Sequence, residues 1–348
     1  MNFRKSDTIV AVIGDHCLDK DYCGEYGKVM SRELEDMSIF DSDNAHYSGG
    51  GAANIVDLLQ NWGVRVLPCG VWNPLHDPNS RILQERWQKG FVDTQFMVEG
   101  YGTPAYVKYY KEDGEHVFRA NEPVQCFEPT IQSKINSQLL ALSKSLVDIV
   151  IVADYNETGH GILTWNILDA IKGFFQCPII GMSRQRIAVF KDYDYLILNK
   201  EELATLTIVT IDSDIFPLYR IFDEFIGSHD GRQFNKKDQH LLVTLEGEGA
   251  VLYDRLISEC DTDYGDINQI LVPSQPQEGV INVCGCGDTF TAAFTICLAS
   301  GMDEVEAIKR ANAAARVQTR KLYGARTVDL DEWEAEYQLL YSEVNNEK

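Results

Sequence analysis

The chain is short of positive charge. Against 53 acidic residues it carries 31 lysines and arginines, which leaves a formal charge of -22 over 348 residues. Phosphate backbones are held by basic surfaces, so nucleic acid is not the expected partner. A phosphorylated small molecule stays open, because a few local cations and a magnesium ion can dominate one cleft. No apolar run reaches membrane-spanning length, and the amino terminus MNFRKSDTIVAVIGD has neither a long apolar core nor a cleavage site. The expectation is a soluble, cytoplasmic protein with no membrane partner. Nine cysteines are scattered without a CxxC pair, which fits reduced thiols better than a disulfide framework or a zinc site. Cys284 and Cys286, the one close pair, read as small loop residues. Internal repeats, low-complexity tracts and long linkers are also missing. The length allows one generous α/β domain or two smaller ones.

What is present is a series of β-branched runs joined to helices by glycine-rich turns. The most informative joint is VCGCGDTF at 283–290, followed by an apolar, alanine-rich run to Ser300. It reads as a tight loop opening a buried helix. First-turn N–H groups have no partners inside a helix and the dipole there favours negative charge, so Gly285, Cys286 and Gly287 suit a phosphate oxygen. Asp288 has two readings. A carboxylate beside phosphates is repelled by them unless it accepts a proton from an attacking hydroxyl; otherwise it caps the helix.

Elsewhere, TIVAVI at 8–13 reads as a buried strand ending at Gly14. It delivers Asp15 to the carboxyl edge of a sheet, where α/β ligand clefts lie. Asp15 and Asp19 are candidate sugar-hydroxyl acceptors or solvated loop residues. Residues 22–47 lack helical period and suggest short strands or an excursion from the main sheet. SGGGAAN at 48–54 permits close backbone approach at Gly50 and Gly51 and places Asn54 in a first helical turn, able to donate and accept toward a polyol; a plain packing turn is the alternative. Residues 64–71 resume a strand and 79–87 a helix. Residues 101–119 read as a hairpin turning at EDGE, a surface element or a water-excluding lid whose Lys108 and Arg119 reach a cleft. Further on, VDIVIVADY ends a buried strand at Asp154, followed by a helix near 162–174, PIIGMS, and YDYLILN. Asn199 and Glu202 at that last strand end suit waters around magnesium, or simply an acidic helix start. HLLVT, the LEGEG turn and the strand AVLYD follow. A final helix at 304–322 carries a small-residue face. Such alternation implies a mostly parallel sheet with helices on both faces.

Taken together, GDHCLD, GGGAAN, NKEE, TLEGEG and GCGDTF resemble, in order and approximate spacing, the ribokinase-like (PfkB) family of carbohydrate kinases, over nearly the whole chain. The resemblance implies an α/β three-layer sandwich with a mostly parallel central sheet and a small β lid. It implies one kinase domain, 1–348, with lid segments about 18–47 and 97–122, and a homodimer through the lid. ATP and magnesium are the implied cofactors. Asp288 takes the base role by resemblance, with Gly285, Cys286 and Gly287 as the anion hole. Asn199 and Glu202 go to magnesium; Thr244, Gly247, Gly249 and Asn312 to ATP. The resemblance places Asp15, Gly50, Gly51 and Asn54 at the sugar; Asp19 and Asp154 are further substrate candidates, and Lys108, Arg119 and Arg32 are candidates, as nearby cations, for a second phosphate on the substrate. GDxxLD, GGAAN and ADY at 153–155 look like the subgroup that phosphorylates C1 of a D-glycero-D-manno-heptose 7-phosphate. The nucleotidyltransferase domain often fused behind that kinase is expected to be absent. Alanine is usual where Cys286 stands, a change expected to be tolerated because the backbone N–H does the work. Asn282 stands where many members have an aspartate linked to monovalent-cation activation. Alternatives are a kinase for an unphosphorylated ketose, pentose or nucleoside, or a non-catalytic sensor.

Overall fold

A computed structural model describes residues 8–29, 37–88, 90–122, 129–155, 161–184, 186, 190, 193–205, 239–255, 267–279, 282–321 and 327–342. The first third contains β1 (Ile9–Gly14), β2 (His16–Val29), β3 (Met37–Gly51), α1 (Ala52–Asn61), β4 (Arg65–Cys69), β5 (Val71–Trp72), α2 (Pro78–Trp87) and β6 (Val98–Glu99). A hairpin, β7 (Ala105–Lys111) and β8 (His116–Glu122), leads to α3 (Pro129–Leu142), β9 (Ile149–Asp154), α4 (Trp165–Phe174), β10 (Ile179–Ser183), β11 (Tyr195–Asn199) and α5 (Lys200–Thr205). Then come β12 (His240–Thr244), β13 (Gly249–Arg255), β14 (Ile267–Pro273), α6 (Cys286–Ala299), α7 (Glu304–Gln318) and α8 (Leu330–Tyr341).

Eight strands form the main sheet in the order β14-β13-β12-β11-β10-β9-β1-β4. From β4 to β12 every neighbour is parallel, whereas β13 and β14 are antiparallel additions at one edge. The period-2 rule places successive side chains on opposite faces. Val10 and Val12 of β1 therefore join the core under α1, α6, α7 and α8, while Ala11 and Ile13 join the core under α3 and α4. Each such valine or isoleucine contributes about 1.5–3 kcal/mol on full burial. This is why the strands read as unbroken apolar runs.

A second sheet, β3-β2-β7-β8, lies beside the carboxyl end of β1. The expected 101–119 hairpin is present, pairing Lys108 with Arg119 across β7 and β8. The 22–47 segment is an excursion from the main sheet, one of its two readings, and not a set of short strands. Its described parts belong to two long strands that pair from His16 opposite Gly51 to Val29 opposite Met37, with a bulge near Gly24. Glycines and charges hid the alternation there. The helix expected at 304–322 ends at Gln318; α3, β14 and α8 were not anticipated, although α8 carries an Asp329/Glu332 capping box. Among the described residues, no helix is long and apolar enough to cross a membrane.

Candidate active site

The glycine loop and α6 set the centre. Gly285 is the N-cap in the left-handed region at φ 80, where a side chain would be strained. The Cys286 N–H donates back to Val283 O at 3.3 Å, and Thr289 Oγ1 donates to Gly285 O at 2.8 Å. A Cβ at Gly287 would meet no protein atom within 4 Å, so nothing in the fold itself requires glycine there. Asp288 lies in the first turn and is 9% exposed. Its Oδ2 accepts from Asn54 Nδ2 at 2.6 Å and its Oδ1 from the Tyr155 hydroxyl. The carboxylate thus faces these two donors instead of capping the helix amides. Burial pushes its pKa up to about 7; donation from Asn54 pulls it down, Asp19 pushes it up and Lys108 pulls it down.

One wall of the site comes from the carboxyl end of β1 and the β2–β3 sheet. Asp15 accepts from the backbone N–H groups of Ile162 (2.8 Å) and Tyr155 (3.2 Å), and its carbonyl accepts from Ala52 N at 3.1 Å. Burial, with help from Asp154, pushes the Asp15 carboxyl up to about 7. Gly51 has φ 56, and a Cβ there would stand 2.7 Å from Asp15 O and 3.2 Å from the Tyr155 ring. At Gly50 the Cβ would meet Asp19 Oδ1 at 2.5 Å. Asp19 and Lys108, 4% and 6% exposed, pair at 2.6 Å, and Lys108 Nζ also lies 3.3 Å from Cys284 Sγ. Burial alone would lower the Lys108 pKa; Asp19, Cys284 and Asp21 outweigh it and hold the ammonium charged. The glycine turn itself is anchored by buried Asp57, which accepts from Gly49 N (2.9 Å), Trp87 Nε1 (3.0 Å) and Arg86 Nη2 (2.6 Å).

From Asp288, Gly285 and Gly287 a cleft of about 520 Å³ extends to Asn199, Glu202 and Thr244. Asn199 N donates to Glu202 Oε2 at 2.9 Å, and Glu202 N to Asn199 Oδ1 at 2.7 Å. The helix-start reading of this pair is therefore present in the structure, on the wall of the cleft. Their oxygens are the hard donors that magnesium takes, directly or through water. Burial holds the Glu202 carboxyl above its ordinary range, a penalty that a bound cation would reverse.

Other sequence candidates fall around this centre. Asp154 lines the cleft but is held by Arg186 Nη2 at 2.7 Å and Ser183 Oγ at 2.7 Å. Gly247, Gly249 and Asn312 are not among the described residues lining the cleft, and neither are Cys286, Asp15, Asp19, Gly50, Gly51, Asn54 and Lys108, which meet it through Asp288, Tyr155 and Cys284. A Cβ at Gly249 would come within 2.2 Å of Val272 O, a close approach that explains the glycine. The Asn312 amide donates to Val272 O (3.3 Å) and the Tyr341 hydroxyl (3.1 Å), which ties α7 to β14 and α8. Arg119 is exposed, with its guanidinium 4.0 Å from the centre of the Tyr106 ring. Arg32 lies outside the described residues. Cys284 and Cys286 are free thiols, burial pushes Cys286 up to about 12, and among the described residues no cluster of His, Cys, Asp or Glu is fit to hold a metal alone.

Two residues escaped sequence reasoning. Tyr155 touches Asp288, and Arg184, 5.3 Å over the Tyr155 ring, is the one cation among the described residues lining the cleft. The strand-end ADY marked the position of the first; nothing in MSRQR marked the second.

A large, mostly parallel sheet carrying a phosphate-suited helix start and a buried carboxylate at its carboxyl edge defines a nucleotide-dependent kinase scaffold. The sequence profile of the pfkB family carbohydrate kinases matches residues 26–330, and the chain belongs to that family. It is 24% identical over 324 residues to the bifunctional protein HldE of Bradyrhizobium diazoefficiens, covering 91% of this chain and 60% of that protein. To the bifunctional protein HldE of Helicobacter hepaticus it is 25% identical over 328 residues, covering 91% and 61%. The chain thus spans about 60% of the length of these relatives. The fold is ribokinase-like. Phosphofructokinase-2 from Escherichia coli in complex with substrates and products superimposes with a TM-score of 0.70 at 16% identity, covering 96% of this chain and 99% of that one. The Arabidopsis thaliana ribokinase complexed with ribose and ATP gives 0.67 at 16% identity, covering 95% and 98%.

Proposed function

We propose that the protein transfers the terminal phosphoryl group of ATP to a hydroxyl of a sugar or sugar phosphate, with C1 of a D-glycero-D-manno-heptose 7-phosphate as the preferred acceptor. The observation that carries the kinase reading is Asp288: a buried carboxylate in the first turn of α6, between a phosphate-suited loop and a polyol-suited wall, with its pKa raised to about 7. A general base works best when its pKa lies near the operating pH. Asp288 takes the proton of the attacking hydroxyl, and the Gly287 amide stabilises charge spreading over the transferring group, whereas the Cys286 N–H, expected to share this role, is already given to Val283 O. Asn54 and Asp15 orient the acceptor, and the β7–β8 hairpin with β2 shields the site from water. Asn199 and Glu202 would hold magnesium, which when bound neutralises phosphate charge.

The heptose assignment rests on GDHCLD, GGGAAN and ADY, together with similarity to the HldE proteins over most of the chain. One observation favours a second reading. Lys108 is already neutralised by Asp19, which leaves fewer cations for a phosphate on the acceptor and favours a plain ketose, pentose or nucleoside. An acceptor panel with coupled ADP detection decides. The heptose 7-phosphate is expected to give the highest kcat/KM; a plain sugar that exceeds it establishes the second reading, and no acceptor-dependent ADP release from any member refutes the kinase.

A further inference from the structure

The base has two oxygens, and the structure gives each a donor. Asn54 reaches Oδ2 from the glycine turn, on the wall where the acceptor would lie. The Tyr155 hydroxyl reaches Oδ1 from the end of β9. Tyr155 is 6% exposed and fixed on three sides. Its own N–H donates to Asp15 Oδ2 at 3.2 Å, its ring lies where a Cβ on Gly51 would be 3.2 Å away, and the Arg184 guanidinium stands 5.3 Å over the ring. The backbone bond to Asp15 fixes where the side chain starts, and swinging the phenol away would give up the ring's places beside Gly51 and under Arg184, so its aim at Asp288 is set by the fold.

We propose that Tyr155 is a positioning residue for the base: its hydroxyl orients the Asp288 carboxylate and holds it ionised at the pH where the enzyme works. This rests on Asp288 acting as the base. The physical ground is that a hydrogen bond donated to the charged form of a carboxyl opposes the desolvation that would protonate it. A packed aromatic at a strand end needs no such contact; a phenol and an amide on opposite oxygens of one buried carboxylate fix its plane as well as its charge. Other charged groups face the same carboxylate. Asp19 and Lys108 reach it from β2 and β7, and Arg184 stands beyond Tyr155. Asp154, Glu201 and Glu202 line the walls of the cleft. All of these remain in a Tyr155→Phe protein, so a change there reports the hydroxyl.

The test is the pH dependence of kcat/KM for the acceptor in native and Tyr155→Phe enzymes. One hydrogen bond is worth about tenfold, or one pH unit. The ascending limb is expected to move up by about that much, giving roughly a fivefold loss at pH 7 that nearly vanishes at pH 9, with the KM for ATP unchanged. A loss equal at every pH, or a limb that does not move, overturns the proposal. Should the Phe variant fold poorly by thermal melting, 3-fluorotyrosine at position 155 decides. It keeps the shape and donates more strongly, so the limb is expected to move down, and an unmoved limb overturns the proposal equally. Full turnover in Asp288→Asn would instead refute the base, whereas an inactive Asp288→Asn with an unmoved Tyr155→Phe limb sinks the Tyr155 role alone.

Discussion

The two walls of the cleft are built on different principles. On the acceptor wall, beside the backbone bonds taken by Asp15 and Asp57, side chains far apart in sequence hold one another: Asp19 pairs with Lys108, Asn54 and Tyr155 grip Asp288, and Asp57 takes Arg86 of α2. On the donor wall, side chains hold the backbone, as Asn199 and Glu202 do by bonding each other's N–H groups. Buried charge is costly without a partner, so the first wall is arranged before any ligand arrives and tolerates little change. The second is defined by main chain and by a helix start, and single substitutions there remove less.

The largest expected effect is at the junction of the walls. Asp288→Asn should fold and bind ATP yet lose about 10²- to 10⁴-fold in turnover, read as acceptor-dependent ADP release. The same variant sharpens the acceptor-wall argument through stability. Because folding raises the Asp288 pKa from 3.8 to about 7, the folded state holds the proton more tightly than the unfolded chain between those values. Native stability therefore falls as pH rises across that window. Ligand-free Asp288→Asn is expected to melt above the native protein at pH 8 and level with it near pH 4; a gap that does not close contradicts the raised pKa.

Next comes Lys108→Ala, which strands a buried carboxylate and should cost about 3–5 kcal/mol in denaturant unfolding. Replacing both partners, Lys108→Met with Asp19→Leu, should recover most of it. Native-like stability in the single variant would show that the wall is not preorganised by this pair. The smallest effect belongs to the donor wall. Glu202→Gln is expected to raise the magnesium requirement about tenfold while leaving acceptor KM unchanged; a large change in acceptor KM would erase the distinction between the walls.

The comparison also explains what could be read in advance. The strands of the main sheet were legible because burial on both faces makes them continuous apolar runs, and the glycine loops because backbone approach forces the residue type. Gly285, Asp288, Asn54 and Asp15 were therefore found together. Partnerships over long sequence separations were not legible: Lys108 looked like a free phosphate reader, and its pairing with Asp19 depends on β2 lying beside β7. The antiparallel edge, β13 and β14, carries the same apolar signal as a parallel strand, so its direction was invisible. Asn312 was placed near ATP by resemblance alone, and its bonds from α7 to β14 and α8 are a long-range partnership that no local pattern showed.

The claim beneath all of this is that a single carboxyl, lifted by burial to the edge of neutrality, accepts the acceptor's proton. Its most direct test is kcat/KM of the native enzyme for its best acceptor between pH 5 and 9. An ascending limb with its midpoint near 7 that is absent from the residual activity of Asp288→Asn is the expected result; a native profile flat down to pH 5 would contradict it.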